Sequence, residues 1–337
     1  MLFSLSHSSP RVIAWLNAGQ TNLVQRACEL AGLSLVGAGS PETGQTGVVA
    51  AALGCKPCDD LRAAMVEGAC DAIVLLALSD GSAGVSEDVR AIEAAHAKGV
   101  RVLSLEPVVA DLGDWHALNG DSPVSIVNVV RPLGLLRRTK RFHDLEEILR
   151  DFGALHSVSL SVAGPREEGS LAARLISAIE CMAGLIGEAA SVSGALSARS
   201  MRSENRLRSL SGDCAATIRT ATGQIGAVLV CDRVPRHDVQ LTLRGEGGVV
   251  RFETAGLEWI GSGGVVHEST TFGPPSAVTG ARLLADEFSR HLYPGSIEHG
   301  PVRWGAVLAT AQAILLSAAT GQVESPETIR RMNDLGG

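Results

Sequence analysis

Two cysteines, Cys55 and Cys58 in Cys55-Lys56-Pro57-Cys58, stand just ahead of a stretch with helical spacing from Asp59 to Glu67. A thiol pair in that place resembles a thioredoxin-type couple, since the positive end of a helix lowers a thiol pKa. An ordinary loop is the simpler account. A structural zinc needs two further ligands, and no second pair at metal spacing occurs. His116, His143, His156, His267, His291 and His299 form no His-x-x-x-His pattern, so no metal site is expected. The densest basic run is Arg137-Arg138-Thr139-Lys140-Arg141 with His143, able to hold an anionic ligand or an acidic partner; a solvated helix or loop face explains it more simply. No Gly-x-Ser-x-Gly elbow is present, which leaves hydrolase chemistry without support.

The whole chain narrows the classes further. Its 337 residues suit about two domains. Hydrophobic residues make up 45% and aromatics only 3%, so a large core must be built from Ala, Val, Leu and Ile. A net charge of -7 argues against nucleic-acid binding, which needs a basic face. No apolar run reaches the about 18 residues of a membrane span, and Met1 to Pro10 lacks the pattern of a signal peptide. Seven scattered Cys suit reduced thiols better than a disulfide framework, so a cytoplasmic protein is expected.

Positioning elements can be read from periodicity. Val12–Leu16, Leu33–Val36, Ala72–Leu76, Val100–Leu105 and Val124–Val127 have the pattern of buried strands. Helical stretches from about Leu23 to Ala31, Asp59 to Glu67, and Ser86 as N-cap to Gly99 as the closing glycine alternate with them. This alternation predicts a Rossmann-like parallel sheet over residues 1–125. From residue 126 to 337 the grammar changes. His156–Val162 alternates, Leu171–Ile186 is a strongly apolar helix, and strand-like stretches follow at 190–197, 207–220, 224–232, 237–245 and 248–253. That half is expected to be an α+β domain with an open, mostly antiparallel sheet. Helices at about 277–291 and 301–319, and one opening at Ser325-Pro326-Glu327, are expected to return to the first domain.

The order of these elements, with several local strings, resembles the Gfo/Idh/MocA oxidoreductase family. The strings are Ala52–Leu61, Gly68–Val74, Ile92–Pro107, Gly184-Leu185-Ile186-Gly187-Glu188, Leu243-Arg244-Gly245-Glu246-Gly247-Gly248 and Leu315–Arg331. The similarity runs from about Arg11 to Met332. It implies a two-domain, nicotinamide-dependent enzyme for sugars, inositols and related substrates.

The resemblance also marks departures. The family's glycine-rich dinucleotide turn falls on Asn17-Ala18-Gly19-Gln20-Thr21-Asn22, where only Gly19 matches and Asn17 and Asn22 replace the outer glycines. A side chain at Asn22 is expected to crowd the helix against the strand. The ribose-gripping acid falls at Ser40, which cannot make the bidentate contact but tolerates a 2′-phosphate. The family's Glu-Lys-Pro falls on Leu105-Glu106-Pro107, so a carboxylate replaces the cation beside the reacting hydroxyl. Its Asp-x-Gly-x-His-x-x-Asp helix falls on Ala173, Leu175, Ser177 and Glu180; Ser177 stands for the proton-shuttling His and cannot act as a base near neutral pH.

The expectation from the sequence is therefore a catalytically degenerate member of this type, a ligand-binding sensor or accessory subunit with a sugar-like ligand. No cofactor of tight affinity is expected, and NAD or NADP if the protein is active. The alternative is an NAD(P)-dependent oxidoreductase for a sugar, polyol or related molecule with a site rebuilt on Glu106 and Glu180. The exposed sheet predicts a homo-oligomer, or a hetero-oligomer with a paralogue.

Overall fold

A computed structural model of the chain describes residues 9–67, 69–78, 85–109, 111–120, 129–197, 207, 210–272, 279–293 and 302–334. The first half is a six-stranded parallel sheet ordered β3-β2-β1-β4-β5-β6. Its strands are β1 (Arg11–Trp15), β2 (Ser34–Gly39), β3 (Lys56–Pro57), β4 (Ala72–Leu75), β5 (Arg101–Ser104) and β6 (Val130–Pro132). Helices α1 (Thr21–Ala31), α2 (Thr46–Leu53), α3 (Leu61–Glu67), α4 (Val85–Ala97) and α5 (Leu112–Gly120) connect them. Every residue of β4 is buried, as a strand covered on both faces requires. Gly99 closes α4 with a φ of 77°, the expected left-handed C′ position. Ser86 lies inside α4 rather than capping it. The expected strand at 124–127 lies outside the described residues, and the sheet's last strand, β6, comes after residue 125.

Strand order reverses between β1 and β4, which opens a crevice at the carboxyl ends of the strands. Both parts of the dinucleotide-type turn and the Glu106 segment sit along that edge, because they follow β1 and β5 directly.

After α6 (Lys140–Leu149), an eight-stranded sheet follows in the order β14-β13-β12-β11-β7-β10-β9-β8. Its strands are β7 (Leu155–Pro165), β8 (Ala189–Ser197), β9 (Asp213–Thr220), β10 (Ile225–Cys231), β11 (Arg233–Gly245), β12 (Gly248–Glu253), β13 (Gly256–Ile260) and β14 (Val266–Thr271). Only β7 and β10 pair in parallel. Period-2 alternation turns Val158, Leu160, Val162, Val228, Val230, Val239, Leu241 and Leu243 to one buried face. The apolar helix α7 (Leu171–Ile186) lies on it, burying Leu171, Leu175, Ile179 and Met182.

Two helices join the layers. Helix α8 (Gly280–Leu292) returns to the first sheet: the Tyr293 hydroxyl donates to the Ala31 carbonyl at 2.9 Å, and Arg101 donates to the Leu292 carbonyl at 3.0 Å. Helix α9 (Trp304–Thr320) lies on β8 so closely that a Cβ at Gly194 would come within 2.4 Å of the Ile314 carbonyl oxygen. Helix α10 (Pro326–Asp334) opens on Pro326. Among the described residues, no helix is long and apolar enough to cross a membrane.

Candidate functional site

The turn after β1 is a short 3-10 segment, Ala18–Gln20, running into α1. Gln20, 5% exposed, organises it. Its Oε1 accepts from the Asn17 N–H at 3.0 Å, and its Nε2 donates to the carbonyls of Leu76 and Glu167, each at 3.1 Å. The Glu167 bond ties the turn to the segment between β7 and α7. The Glu167 side chain lies against Gly19, with Cγ 3.5 Å from where a Cβ would sit. Asn22 is exposed, so it does not crowd the helix against the strand; Val24 and Ala27 are the α1 residues buried in one core cluster with Val12 and Ala14 of β1.

A nicotinamide dinucleotide is the group the resemblance implies, and the phosphate end of the turn fits one. Gln20 satisfies the Asn17 N–H, but the N–H groups of Ala18 and Gly19 form no hydrogen bond with the described residues, which leaves positive polarity at a helix N-terminus. The Glu167 carboxylate is exposed and free to turn aside, although it adds negative charge where a pyrophosphate would approach. At the ribose end Ser40 is buried, with its Oγ accepting from the Glu42 N–H at 3.2 Å.

Glu106 follows β5 and reaches the N-terminus of α7. The Ser170 N–H donates to Oε1 at 3.0 Å and the Ser170 hydroxyl donates to Oε2. Ser170 is also the N-cap of α7, its Oγ accepting from the Ala173 N–H at 3.1 Å. Burial pushes the Glu106 carboxyl up, opposed by the two Ser170 bonds and by Arg166 and Arg174 nearby. Arg174 is buried and donates to the Gly169 and Pro165 carbonyls. Glu106 is therefore neither a freely solvated carboxylate nor a member of an ion pair among the described residues. It lines a mostly apolar cavity, about 470 Å³ including its open mouth, with Leu105, Val130, Leu133, Ala173 and Trp304.

Ser177 stands two turns further along α7, roughly 10 Å from Ser170 by helix rise. It is 3% exposed. Its hydroxyl donates to the Gly134 carbonyl at 2.9 Å and accepts from the Leu136 N–H at 3.0 Å. Ser177 lines a different cavity, about 740 Å³ including its open mouth, with Arg141, His237, Phe252, Glu287 and Arg290. Glu180 lines neither cavity; it faces Arg137 at 3.6 Å. Burial pushes its carboxyl up and Arg137 and Arg138 pull it back. The structure thus does not gather Glu106, Ser177 and Glu180 into one cluster.

Of the titratable groups lining the larger cavity, two are strongly shifted, and the motifs in the sequence marked neither. Glu287 on α8 is 4% exposed, and burial raises its carboxyl to about 7 although the Gly134 N–H donates to Oε2 at 2.8 Å. His237 on β11 is pushed down to about 4 by burial and by Arg174. Both were detectable. Glu287 stands three residues from Leu284 on the apolar stripe of α8, and His237 shares the period-2 face of Val239 and Leu241.

The basic run is not a solvated face throughout. Arg138 is buried, and Arg137 fits the notch left by Gly184, where a Cβ would meet its guanidinium at 2.0 Å. Nor are Cys55 and Cys58 activated. Burial pushes both thiols up, Cys55 donates to the Ala50 carbonyl and Cys58 to the Asp60 carbonyl. Helix α3 starts only at Leu61, past the reach of its dipole on Cys55. Among the described residues no group of His, Cys, Asp and Glu is disposed to hold a metal ion.

No protein-family model matches the chain, and no curated protein matches it in sequence. Solved structures do match in fold. A levoglucosan dehydrogenase in complex with NADH and L-sorbose superposes with a TM-score of 0.68 at 14% identity, covering 95% of this chain and 100% of that one. The WlbA dehydrogenase from Bordetella pertussis, in complex with NADH and UDP-GlcNAcA, gives 0.65 at 18% identity over 95% and 99%. A myo-inositol dehydrogenase from Corynebacterium glutamicum gives 0.63 at 16% identity over 94% and 99%.

Proposed function

Starting from a chain with the two-domain architecture of Gfo/Idh/MocA-type sugar dehydrogenases and oxidoreductases, we propose that this protein is a nicotinamide-dependent oxidoreductase for a sugar, polyol or related molecule whose proton-accepting group has moved from α7 to α8. One observation carries the reading. Glu287 and Ser177 flank the same residue, Gly134: its N–H donates to Glu287 and its carbonyl accepts from Ser177. A carboxyl that titrates at about 7 therefore lies beside the position where the resemblance puts the proton-shuttling His. The structural neighbours in complex with NADH and a sugar or sugar nucleotide support the same class.

When bound, an oxidised nicotinamide supplies the acceptor for a hydride from the carbinol carbon. The Ala18 and Gly19 N–H groups would hold its phosphates, and Ser40 would face the ribose. Within the larger cavity, Glu287 would take the hydroxyl proton as the carbonyl forms. Val162, Val239, Phe252 and Leu283 give that cavity apolar walls. Glu106 would not act on substrate; its carboxyl is committed to Ser170 and positions the start of α7.

A second reading, ligand binding without hydride transfer as a sensor or accessory subunit, is favoured by the Glu106–Ser170 clasp, because a carboxylate there offers no cation to a developing alkoxide. Cofactor titration combined with a turnover assay on sugars and polyols separates the two. Binding with turnover supports the first reading. Ligand binding with no turnover under any cofactor supports the second.

A further inference from the structure

We propose that the cavity beside Gly134 takes a carboxylate-bearing polyol, a sugar acid, in preference to a neutral sugar; this rests on reading that cavity as the substrate site. Two guanidinium groups from different helices line it, Arg141 on α6 and Arg290 on α8. Arg141 is held in place: its Nη1 donates to the Thr254 carbonyl at 2.9 Å, and its guanidinium stands 5.3 Å from the centre of the Phe272 ring. It forms no ion pair within the described residues. Arg290 keeps a buried Nη1 with no hydrogen-bond partner, a donor that the protein desolvates and leaves unmatched.

The nearby carboxylates do not fill this need. Asp286 pairs with Arg282 at 3.3 Å, and Glu287 accepts from the Gly134 N–H. Although Asp286 lies near Arg141 and Glu287 near Arg290, neither forms a hydrogen bond or close ion pair with them among the described residues. An incoming carboxylate would match a guanidinium fork with two parallel hydrogen bonds, and the apolar walls of Val239, Phe252 and Leu283 strengthen such a pair by excluding water. Charge balance selects the carboxylate over a phosphate ester. Lys140, Arg141 and Arg290 line the cavity together with Glu253, Asp286 and Glu287. With the Glu287 carboxyl protonated, as it is below about pH 7, one positive charge is left over, which one carboxylate neutralises and a phosphate dianion exceeds. Neutral hydroxyls would give the Arg290 Nη1 only the weaker, uncharged acceptor.

Calorimetric titration of the full chain, with no cofactor added, uses three probes: D-glucuronate, D-glucose and D-glucose 6-phosphate. Glucuronate is expected to bind about tenfold or more tighter than either other probe, a difference of about 1.4 kcal/mol or more. Arg290→Gln is expected to erase that preference while thermal melting stays close to the parent protein. Arg141→Gln should do the same; its lost bond to Thr254 makes melting the necessary control, and Arg290→Gln decides the matter if Arg141→Gln is unstable. Equal binding of glucuronate and glucose, a preference for the phosphate ester, no binding of any probe, or an unchanged preference in Arg290→Gln overturns the proposal. Because the readout is binding, its failure is separable from that of the oxidoreductase reading: turnover of neutral sugars without acid preference defeats the carboxylate proposal alone, and glucuronate binding without turnover defeats the oxidoreductase alone.

Discussion

Glu106 and Ser170 form a two-point clasp, in which the backbone N–H and the hydroxyl of Ser170 donate to the two oxygens of one carboxyl. The clasp joins the end of β5 to the first turn of α7, and so joins the two sheets. A carboxylate suits the positive end of α7 and the neighbouring Arg166 and Arg174, which a lysine would oppose. Ser170→Ala removes the N-cap and one partner of a largely buried carboxyl, for a loss of about 2–3 kcal/mol in urea unfolding. Glu106→Lys should cost more than Ser170→Ala. A Lys variant as stable as the parent would show that the clasp is incidental.

Glu167 sets a second expectation. Its side chain lies against Gly19, the one matching glycine of the dinucleotide-type turn. Glu167→Gln removes a negative charge from the approach of a pyrophosphate, so NADH or NADPH should bind about threefold or more tighter at low salt, with the gain shrinking as salt screens the charge. Fluorescence titration at two ionic strengths reads this directly. An unchanged or weaker affinity would place the phosphates elsewhere.

Glu287 and His237 give opposed pH dependences. The Glu287 carboxyl is raised from 4.5 to about 7, so the folded state holds a proton the unfolded state releases, and its contribution to stability falls as pH rises from 4.5 to about 7. His237 is lowered from 6.5 to about 4, so the unfolded state holds the extra proton, and its contribution rises with pH from about 4 to 6.5. The two slopes oppose each other where the windows overlap. Glu287→Gln should leave stability rising with pH, and His237→Asn should leave it falling, by up to about 3 kcal/mol across the Glu287 window. Urea midpoints measured between pH 4.5 and 7.5 test both signs, and parallel profiles for the two variants would contradict them.

Self-association is expected through the face of the second sheet that α7 does not cover. Thr242 and Gln240 lie on that face, whereas Leu241 is 1% exposed on the opposite, buried face. Exposed Ile225 and Leu229 on β10 lie on the same open side. Thr242→Arg should lower the mass seen by light scattering with the fold intact, while Leu241→Arg should impair folding itself. A parent protein that is monomeric at micromolar concentration would defeat this expectation.

Much of the fold was legible because strong periodicity and burial coincide. The span of α7 was read from its apolar residues, and β11 from Val239, Leu241 and Leu243. Strand β14 was missed because all six of its residues, Val266–Thr271, are exposed and show no alternation. Helix α2 was missed because Thr46–Leu53 carries apolar residues all round and so has no period to read. The site was less legible than the fold. Ser177 and Glu106 could be aligned by spacing, but their different cavities depend on the Gly134 loop and on α8, which come from distant parts of the chain. Glu287 gains its altered carboxyl only when that loop closes over it, a contact between residues 153 positions apart.

The central claim, hydride transfer with Glu287 as the base, is tested most directly by following reduction of NAD and NADP over a panel of sugars, polyols and sugar acids. The account predicts turnover with at least one substrate, a rate that climbs through pH about 7 as Glu287 loses its proton, and a loss of about 100-fold or more in Glu287→Gln with substrate binding retained. Turnover that is equal in Glu287→Gln, or no turnover with either cofactor across the panel, would contradict it.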